Sequence, residues 1–322
     1  MAELVGAAFI MIDFIPRFGL RRGTFNALFL SISAFTNSGF HTMYTDSLEG
    51  FYNNYLILLT VSILVISGGL GFSVWFELSE RLKLYITSKP RSLRLALNRL
   101  SVHSRIVMLF TFAILLLGTV LFLISEWSNP NTLGEMPWHL KILNAFFNTT
   151  NTRTAGYTSV SYYDMNPFTK LSSMVQTIIG GAPGGTAGGI KVTSFAILVL
   201  LFLAELRSYT RVTIFKRSIP SRLVKQAVVI VLFFIILLFG GYSLILIIHP
   251  YLNSLDLLFE TANALGSAGI TFNTMDYMNP VGKIIMVILM IAGRVGPITL
   301  LLGILQRKDK DINYAETNIF LG

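Results

Sequence analysis

Two stretches of this chain, residues 106–125 and 227–248, contain no charged side chain at all. Each matches the roughly 20 residues that a helix needs to cross the hydrocarbon core of a bilayer. One such run fits a buried core helix; two, with others nearly as long, require a membrane. The composition agrees, with 53% hydrophobic and only 13% charged residues, against about 25% charged in an ordinary soluble domain.

The net charge of +9 is unevenly placed. Arg81, Lys83, Lys89, Arg91, Arg94, Arg99 and Arg105 fall in one connector, and Arg207, Arg211, Lys216, Arg217, Arg222 and Lys225 in the next. Arg307, Lys308 and Lys310 follow the last apolar run, while the intervening connectors carry Asp46, Glu49, Glu126, Glu135, Asp164, Asp256 and Asp276. Short Lys/Arg-rich loops mark the cytoplasmic side. The basicity is therefore a signal of topology, with the lipid bilayer and its anionic headgroups as neighbours rather than nucleic acid. With no cysteine, disulfides and thiolate metal sites are excluded. The four histidines (41, 103, 139 and 249) are too scattered to form a ligand set. No signal peptide is recognisable.

The chain repeats itself. Residues 27–40, 144–157 and 257–270 align on Gly39, Gly156 and Gly269, with Phe29, Phe146 and Phe259 ten positions earlier. Downstream, Pro167 and Lys170 in the second copy match Pro280 and Lys283 in the third. Each aligned segment is too short and too polar to cross a membrane and stands between two apolar spans. Entering and leaving on one side satisfies the charge pattern, so the expectation is an all-α membrane protein with three helix–re-entrant loop–helix units. These occupy 1–80, 105–206 and 226–306, separated by basic cytoplasmic connectors at 81–104 and 207–225 and followed by a tail at 307–322. Spans near 2–18 and 55–76 frame the first unit. The opening span, reduced to residues 5–16 and interrupted by Asp13, reads as clipped at its N-terminus. Irregular backbone at membrane depth is tolerated only when buried in protein or lining a water-filled path.

The aligned segments contain what a monovalent-cation filter needs. Short helices are expected over 24–35, 137–150 and 254–265, with Thr24 and Ser254 as N-caps and Pro137 in a first turn. Their negative ends would face the cation. The glycine that follows admits the positive φ needed to aim carbonyls at one axis. A lone glycine of this kind is ordinarily a tight turn; three aligned copies favour a filter. A second feature is 179–191, Ile-Gly-Gly-Ala-Pro-Gly-Gly-Thr-Ala-Gly-Gly-Ile-Lys, which places Gly180, Gly181, Pro183, Gly184, Gly185, Gly188 and Gly189 inside an expected span. Glycine costs about 1 kcal/mol and proline about 3 relative to alanine in a helix. A small-residue packing face would be the plainer explanation, but paired glycines with a proline favour an unwound, mobile segment splitting the span near 171–179 and 192–205, placed to obstruct or open the path. Arg294 lies mid-span in the last run, too far from either end to snorkel; at a cost of about 2.5–3.5 kcal/mol it should face the bundle interior or water, as a partner for the segment's carbonyls or an electrostatic barrier. Lys191 and Arg153 are weaker candidates, Arg153 as a clamp behind its loop.

These residues resemble the Trk/Ktr/HKT superfamily of potassium transporters and channels, most closely the membrane subunits of bacterial Ktr systems. The resemblance rests on Thr36, Asn37, Ser38, Gly39 and Phe40, on Arg153, Thr154, Ala155, Gly156 and Tyr157, on Gly266, Ser267, Ala268, Gly269 and Ile270, and on the glycine-rich break before Lys191. It implies those fifteen residues as the potassium filter, and Gly180–Gly189 with Arg294 as the gate. It also implies K+ as the transported ion, with room for Na+ as a co-ion or regulator, and a homodimer in the plasma membrane on a cytosolic ring of RCK-type nucleotide-binding subunits (KtrA or TrkA type). The family has four units per chain and three are found here, matching its second, third and fourth. The expectation is a truncated chain or a first quarter supplied by another polypeptide.

Other functions make different demands. A secondary transporter of another kind would require intramembrane carboxylates for coupling, and only Asp13 comes near. A membrane enzyme would require a catalytic cluster, which the spans lack. A non-conducting assembly partner stays open because a quarter of the ring is missing.

Overall fold

The computed structural model describes residues 1–43, 47–87, 100–272 and 274–296. They form three units of one design. Unit 1 holds α1 (Ala2–Phe18), α2 (Leu20–Phe35), α3 (Tyr55–Gly69) and α4 (Phe72–Thr87). Unit 2 holds α5 (Val102–Glu126), α6 (Trp138–Thr152), α7 (Pro167–Ile178) and α8 (Val192–Leu206). Unit 3 holds α9 (Ser221–Ile248), α10 (Ser254–Gly266) and α11 (Pro280–Val295). The two uncharged runs become α5 and α9, each long and apolar enough to span a bilayer, and both leave large side chains such as Leu117 and Ile236 on the outer surface. A two-stranded hairpin of β1 (Thr213–Ile214) and β2 (Arg217–Ser218) interrupts the helical pattern in the second basic connector.

Within each unit the short middle helix (α2, α6 or α10) packs between the incoming and outgoing helices. Between units two contacts recur: the outgoing α3 packs on α6 as α7 does on α10, and α4 packs on α5 as α8 does on α9. No comparable packing joins α11 to α2 among the described residues. Lys170 Nζ reaches Asp256 Oδ1 at 3.0 Å across the second interface, and a buried cluster joins Ala145, Val160 and Tyr162 of unit 2 to Phe259, Ile270 and Phe272 of unit 3.

Several expected boundaries move. α2 begins four residues before Thr24, because Gly19 (φ 78) turns the chain straight out of α1; Thr24 Oγ1 then bonds Leu20 O inside the helix. Asn253, not Ser254, caps α10, accepting from the N–H groups of Leu255 and Asp256. Pro137 is the residue before α6 rather than within its first turn. The span expected over 55–76 breaks at Leu70–Gly71, and α3 and α4 meet at 104°. α11 ends at Val295 with Gly296 at φ 87. The rest of the last apolar run, the tail at 307–322 and the connector residues Lys89, Arg91, Arg94 and Arg99 lie outside the described residues.

Candidate functional site

Each short helix stops just before its glycine, and the backbone turns left-handed twice. Asn37, Thr154 and Ser267 have φ of 50, 69 and 56°, and Gly39, Gly156 and Gly269, two residues on, have 75, 84 and 82°. The intervening Ser38, Ala155 and Ala268 are not left-handed. Two left-handed residues in three set this backbone apart from a strand, in which φ stays negative. In loops 1 and 3 the first left-handed residue also closes the helix in a Schellman pattern. Asn37 N–H donates to Ala34 O (3.2 Å) and Ser38 N–H to Ser33 O (2.9 Å); Ser267 N–H donates to Ala264 O (3.1 Å) and Ala268 N–H to Asn263 O (3.0 Å). In loop 2 Asn151 O accepts from both Ala155 and Gly156.

The loops meet in sequence order. A Cβ added at Gly39 would lie 2.6 Å from Ala155 O, and one added at Gly156 would lie 2.5 Å from Ala268 O. Gly39 and Gly156 thus each abut the carbonyl just before the glycine of the next loop, and Gly269 in turn lies against Gly156 Cα. Tyr157 ties loop 2 to loop 1: its hydroxyl donates to Ser33 Oγ at 2.6 Å, and that oxygen donates to Phe40 O at 2.7 Å. Between loops 3 and 1 lies a cavity of about 650 Å³ whose walls include Asn37, Ser38, Gly269, Ile291 and Arg294. The residue after each glycine registers this opening: Tyr157 and Ile270 are 0% and 3% exposed, Phe40 69%.

Below the loops the second span of unit 2 is unwound from Ile179 to Lys191, between α7 and α8. Its glycines are needed for close approach. A Cβ at Gly180 would fall 1.8 Å from Gly188 O, and one at Gly181 2.7 Å from Gly69 O. The carbonyls freed by the α3–α4 break are taken up here: Ala182 N–H donates to Gly69 O (2.8 Å) and Thr186 N–H to Gly68 O (3.1 Å), while Phe72 N–H donates to Gly184 O (3.3 Å). Two broken spans therefore satisfy each other's backbone groups. Sequence reading missed the first of them, although Gly68, Gly69 and Gly71 within four residues were its signal.

Arg153 is buried and donates from Nη2 to Gly180 O at 3.0 Å. Lys191 Nζ donates to Ala187 O within the segment, at 2.6 Å. Arg294 lies close enough to Lys191 for the two positive charges to repel, without bonding the segment. It follows Gly293, which lies against Leu265 O at the end of α10, and it lines the cavity between loops 3 and 1. Among the described residues no hydrogen bond joins Arg294 to the glycine-rich segment; the guanidinium on that segment is Arg153. Asp13, the carboxylate that the sequence brings nearest to a coupling role, sits near the end of α1 with Arg17 Nε at 2.7 Å and Asn54 Nδ2 at 2.8 Å, while Glu126 and Glu260 are the buried carboxylates among the described residues and Glu260 also lines the cavity. No group of three or more His, Cys, Asp or Glu side chains converges among the described residues. What the three loops have in common is backbone conformation rather than a shared set of charged side chains.

Comparison with known proteins gives concordant results. A family described as "TrkH: Cation transport protein" matches residues 1–313. The Ktr system potassium uptake protein B of Vibrio alginolyticus is 34% identical over 326 residues, covering 100% of this chain and 68% of the relative. The protein of the same name from Bacillus subtilis is 28% identical, covering 99% and 68%. The potassium/sodium uptake protein NtpJ of Enterococcus hirae is 32% identical, covering 99% and 69%. The chain thus spans about two thirds of the length of these relatives. The crystal structure of the potassium transporter TrkH from Vibrio parahaemolyticus superposes with a TM-score of 0.69 at 19% identity, covering 94% of this chain and 62% of that one; at that identity the likeness concerns the fold.

Proposed function

The chain belongs to the TrkH family of cation transport proteins, membrane proteins and not enzymes, and from that membership we propose that it builds three quarters of a potassium-conducting path. The observation that carries this reading is the succession of contacts from Gly39 to Ala155 and from Gly156 to Ala268. Three loops of one conformation present their carbonyls around a common axis, with the negative ends of α2, α6 and α10 beneath them. A fourth unit of the same design, on whichever polypeptide carries it, fills the cavity between loops 3 and 1. Loop residues 36–40, 153–157 and 266–270 then form the filter. K+ is the ion selected, with Na+ as a co-ion or regulator, in keeping with the potassium and potassium/sodium uptake named for the relatives.

Gly180–Gly189 and Lys191 form the gate beneath it. Arg294 acts as an electrostatic barrier on the wall of the path, where a fixed cation opposes a permeating one. The basic connectors lie on the cytoplasmic face of the plasma membrane. There the β1–β2 hairpin, with Arg211, Lys216 and Arg217 exposed, offers a docking face for an RCK-type nucleotide-binding ring beneath a homodimer. The relatives' designation as parts of a Ktr system supports a partner of that kind. The test is uptake in a host unable to grow on low potassium. The natural protein should restore growth at low K+ with saturable K+ uptake that exceeds Na+ uptake. Expression in the membrane with no cation uptake, alone or with its RCK-type partner, would overturn the reading.

A further inference from the structure

The glycine-rich segment touches all three loops. On loop 2, Arg153 Nη2 donates to Gly180 O (3.0 Å) and Gly188 N–H donates to Thr154 Oγ1 (3.2 Å). On loop 1, Thr186 Oγ1 is within reach of Phe35 O (3.2 Å) and Asn37 Oδ1 (3.1 Å), while Asn37 Nδ2 reaches Arg153 O (3.4 Å). On loop 3, Gly188 approaches so closely that a Cβ there would stand 2.7 Å from Gly266 O. Two of these partners, Asn37 and Thr154, are the left-handed residues two positions before the glycines. A non-glycine residue holds that conformation only when its surroundings determine it. Here the surroundings include the segment itself.

We propose that Thr186 and Arg153 are positioning residues for ion selection, so that displacing the glycine-rich segment changes which ion is preferred as well as how fast ions pass. The inference rests on the filter reading above and goes beyond it, since an obstructing gate alone would alter flux only. The physical reason is the cost of separating the two parts. A buried guanidinium cannot shed its charge, and withdrawing the Gly180 carbonyl leaves it short of an acceptor, a strongly unfavourable state in low dielectric. Loop 2 therefore follows the segment, and Asn37 of loop 1 follows through its bonds to Thr186 and Arg153.

The experiment measures K+ and Na+ influx separately in liposomes containing the natural transporter. Thr186→Val removes the hydroxyl at nearly constant volume, and the K+/Na+ influx ratio should fall about three- to tenfold, the range that loss of one ordinary hydrogen bond allows. Thr186→Ser should return the ratio to that of the wild type. Arg153→Lys, which gives up the planar fork that reaches Gly180, should lower the ratio in the same direction. A changed flux with an unchanged ratio in both Thr186→Val and Arg153→Lys would overturn the proposal and leave the segment as an independent obstruction. If Gly156→Val also left the ratio unchanged, the filter reading itself would fall, which separates the two failures.

Discussion

Asn37, Thr154 and Ser267 share a left-handed backbone that their residue types do not announce. Aligning the repeats exposes the glycines, because only glycine enters that region without steric cost. It does not expose the residue two positions earlier, because Asn, Thr and Ser are ordinary cap and turn residues and take this conformation where their surroundings impose it. Arg153 and Arg294 illustrate the same limit. Sequence counts donors and places both at membrane depth, but which one meets the Gly180 carbonyl depends on how unit 2 folds back on itself. The cap of α10 is a simpler case, decided between adjacent residues. Asn253 Oδ1 accepts two backbone N–H groups, so Asn253→Ala should destabilise the protein by about 1 kcal/mol. Ser254→Ala, inside the helix, should be close to neutral. Thermal midpoints in detergent check the pair, and a larger loss at Ser254 would contradict the observed cap.

At the scale of elements, the long spans α5 and α9 follow directly from two uncharged runs, because hydropathy and length are all that a spanning helix requires. The bend between α3 and α4 does not, since apolar residues continue through Val74, Trp75 and Phe76 while the axis turns by 104°. What stabilises the bend is a second broken element, whose Ala182 and Thr186 N–H groups take the carbonyls the bend sets free. Such mutual satisfaction between distant segments has no local signature. It does have a consequence for gating. Gly181→Ala would place a methyl 2.7 Å from Gly69 O and 2.8 Å from Ala187 Cβ, and crowding of this kind costs about 1–3 kcal/mol. The crowding works against the arrangement described here, so cation flux through the natural transporter should rise severalfold. Gly184→Ala, facing open space but at φ 75°, should raise it less. Equal effects would mean that the contact with the α3–α4 break does not hold the segment in place.

Among the described residues the units follow one another through like interfaces, α3 on α6 and α7 on α10, and leave a cavity between loops 3 and 1. The repeat is visible in the sequence because each copy carries its own glycine and flanking apolar spans. Their order around an axis is not, since it depends on which helix of one unit meets the next. Phe40 offers a test of how this cavity is covered in the assembled transporter. Its homologous positions, Tyr157 and Ile270, are buried against the preceding unit, and Phe40 is 69% exposed. Because the chain has no cysteine, Phe40→Cys gives a clean probe. In native membranes it should react with a water-soluble maleimide at least about tenfold more slowly than Tyr277→Cys, as burial in a matching interface would require. Equal reactivity would mean that no neighbouring unit covers loop 1.

The most direct measurement is the K+/Na+ influx ratio of Gly156→Val against wild type, in the natural transporter reconstituted in liposomes. Gly156 sits at φ 84°, and a Cβ there would stand 2.5 Å from Ala268 O, so a β-branched residue is barred by both its own backbone and the neighbouring loop. If Gly39, Gly156 and Gly269 present carbonyls to one ion, the substitution should abolish K+ influx or bring the ratio close to one. Wild-type K+ influx with wild-type preference in that variant would contradict the filter.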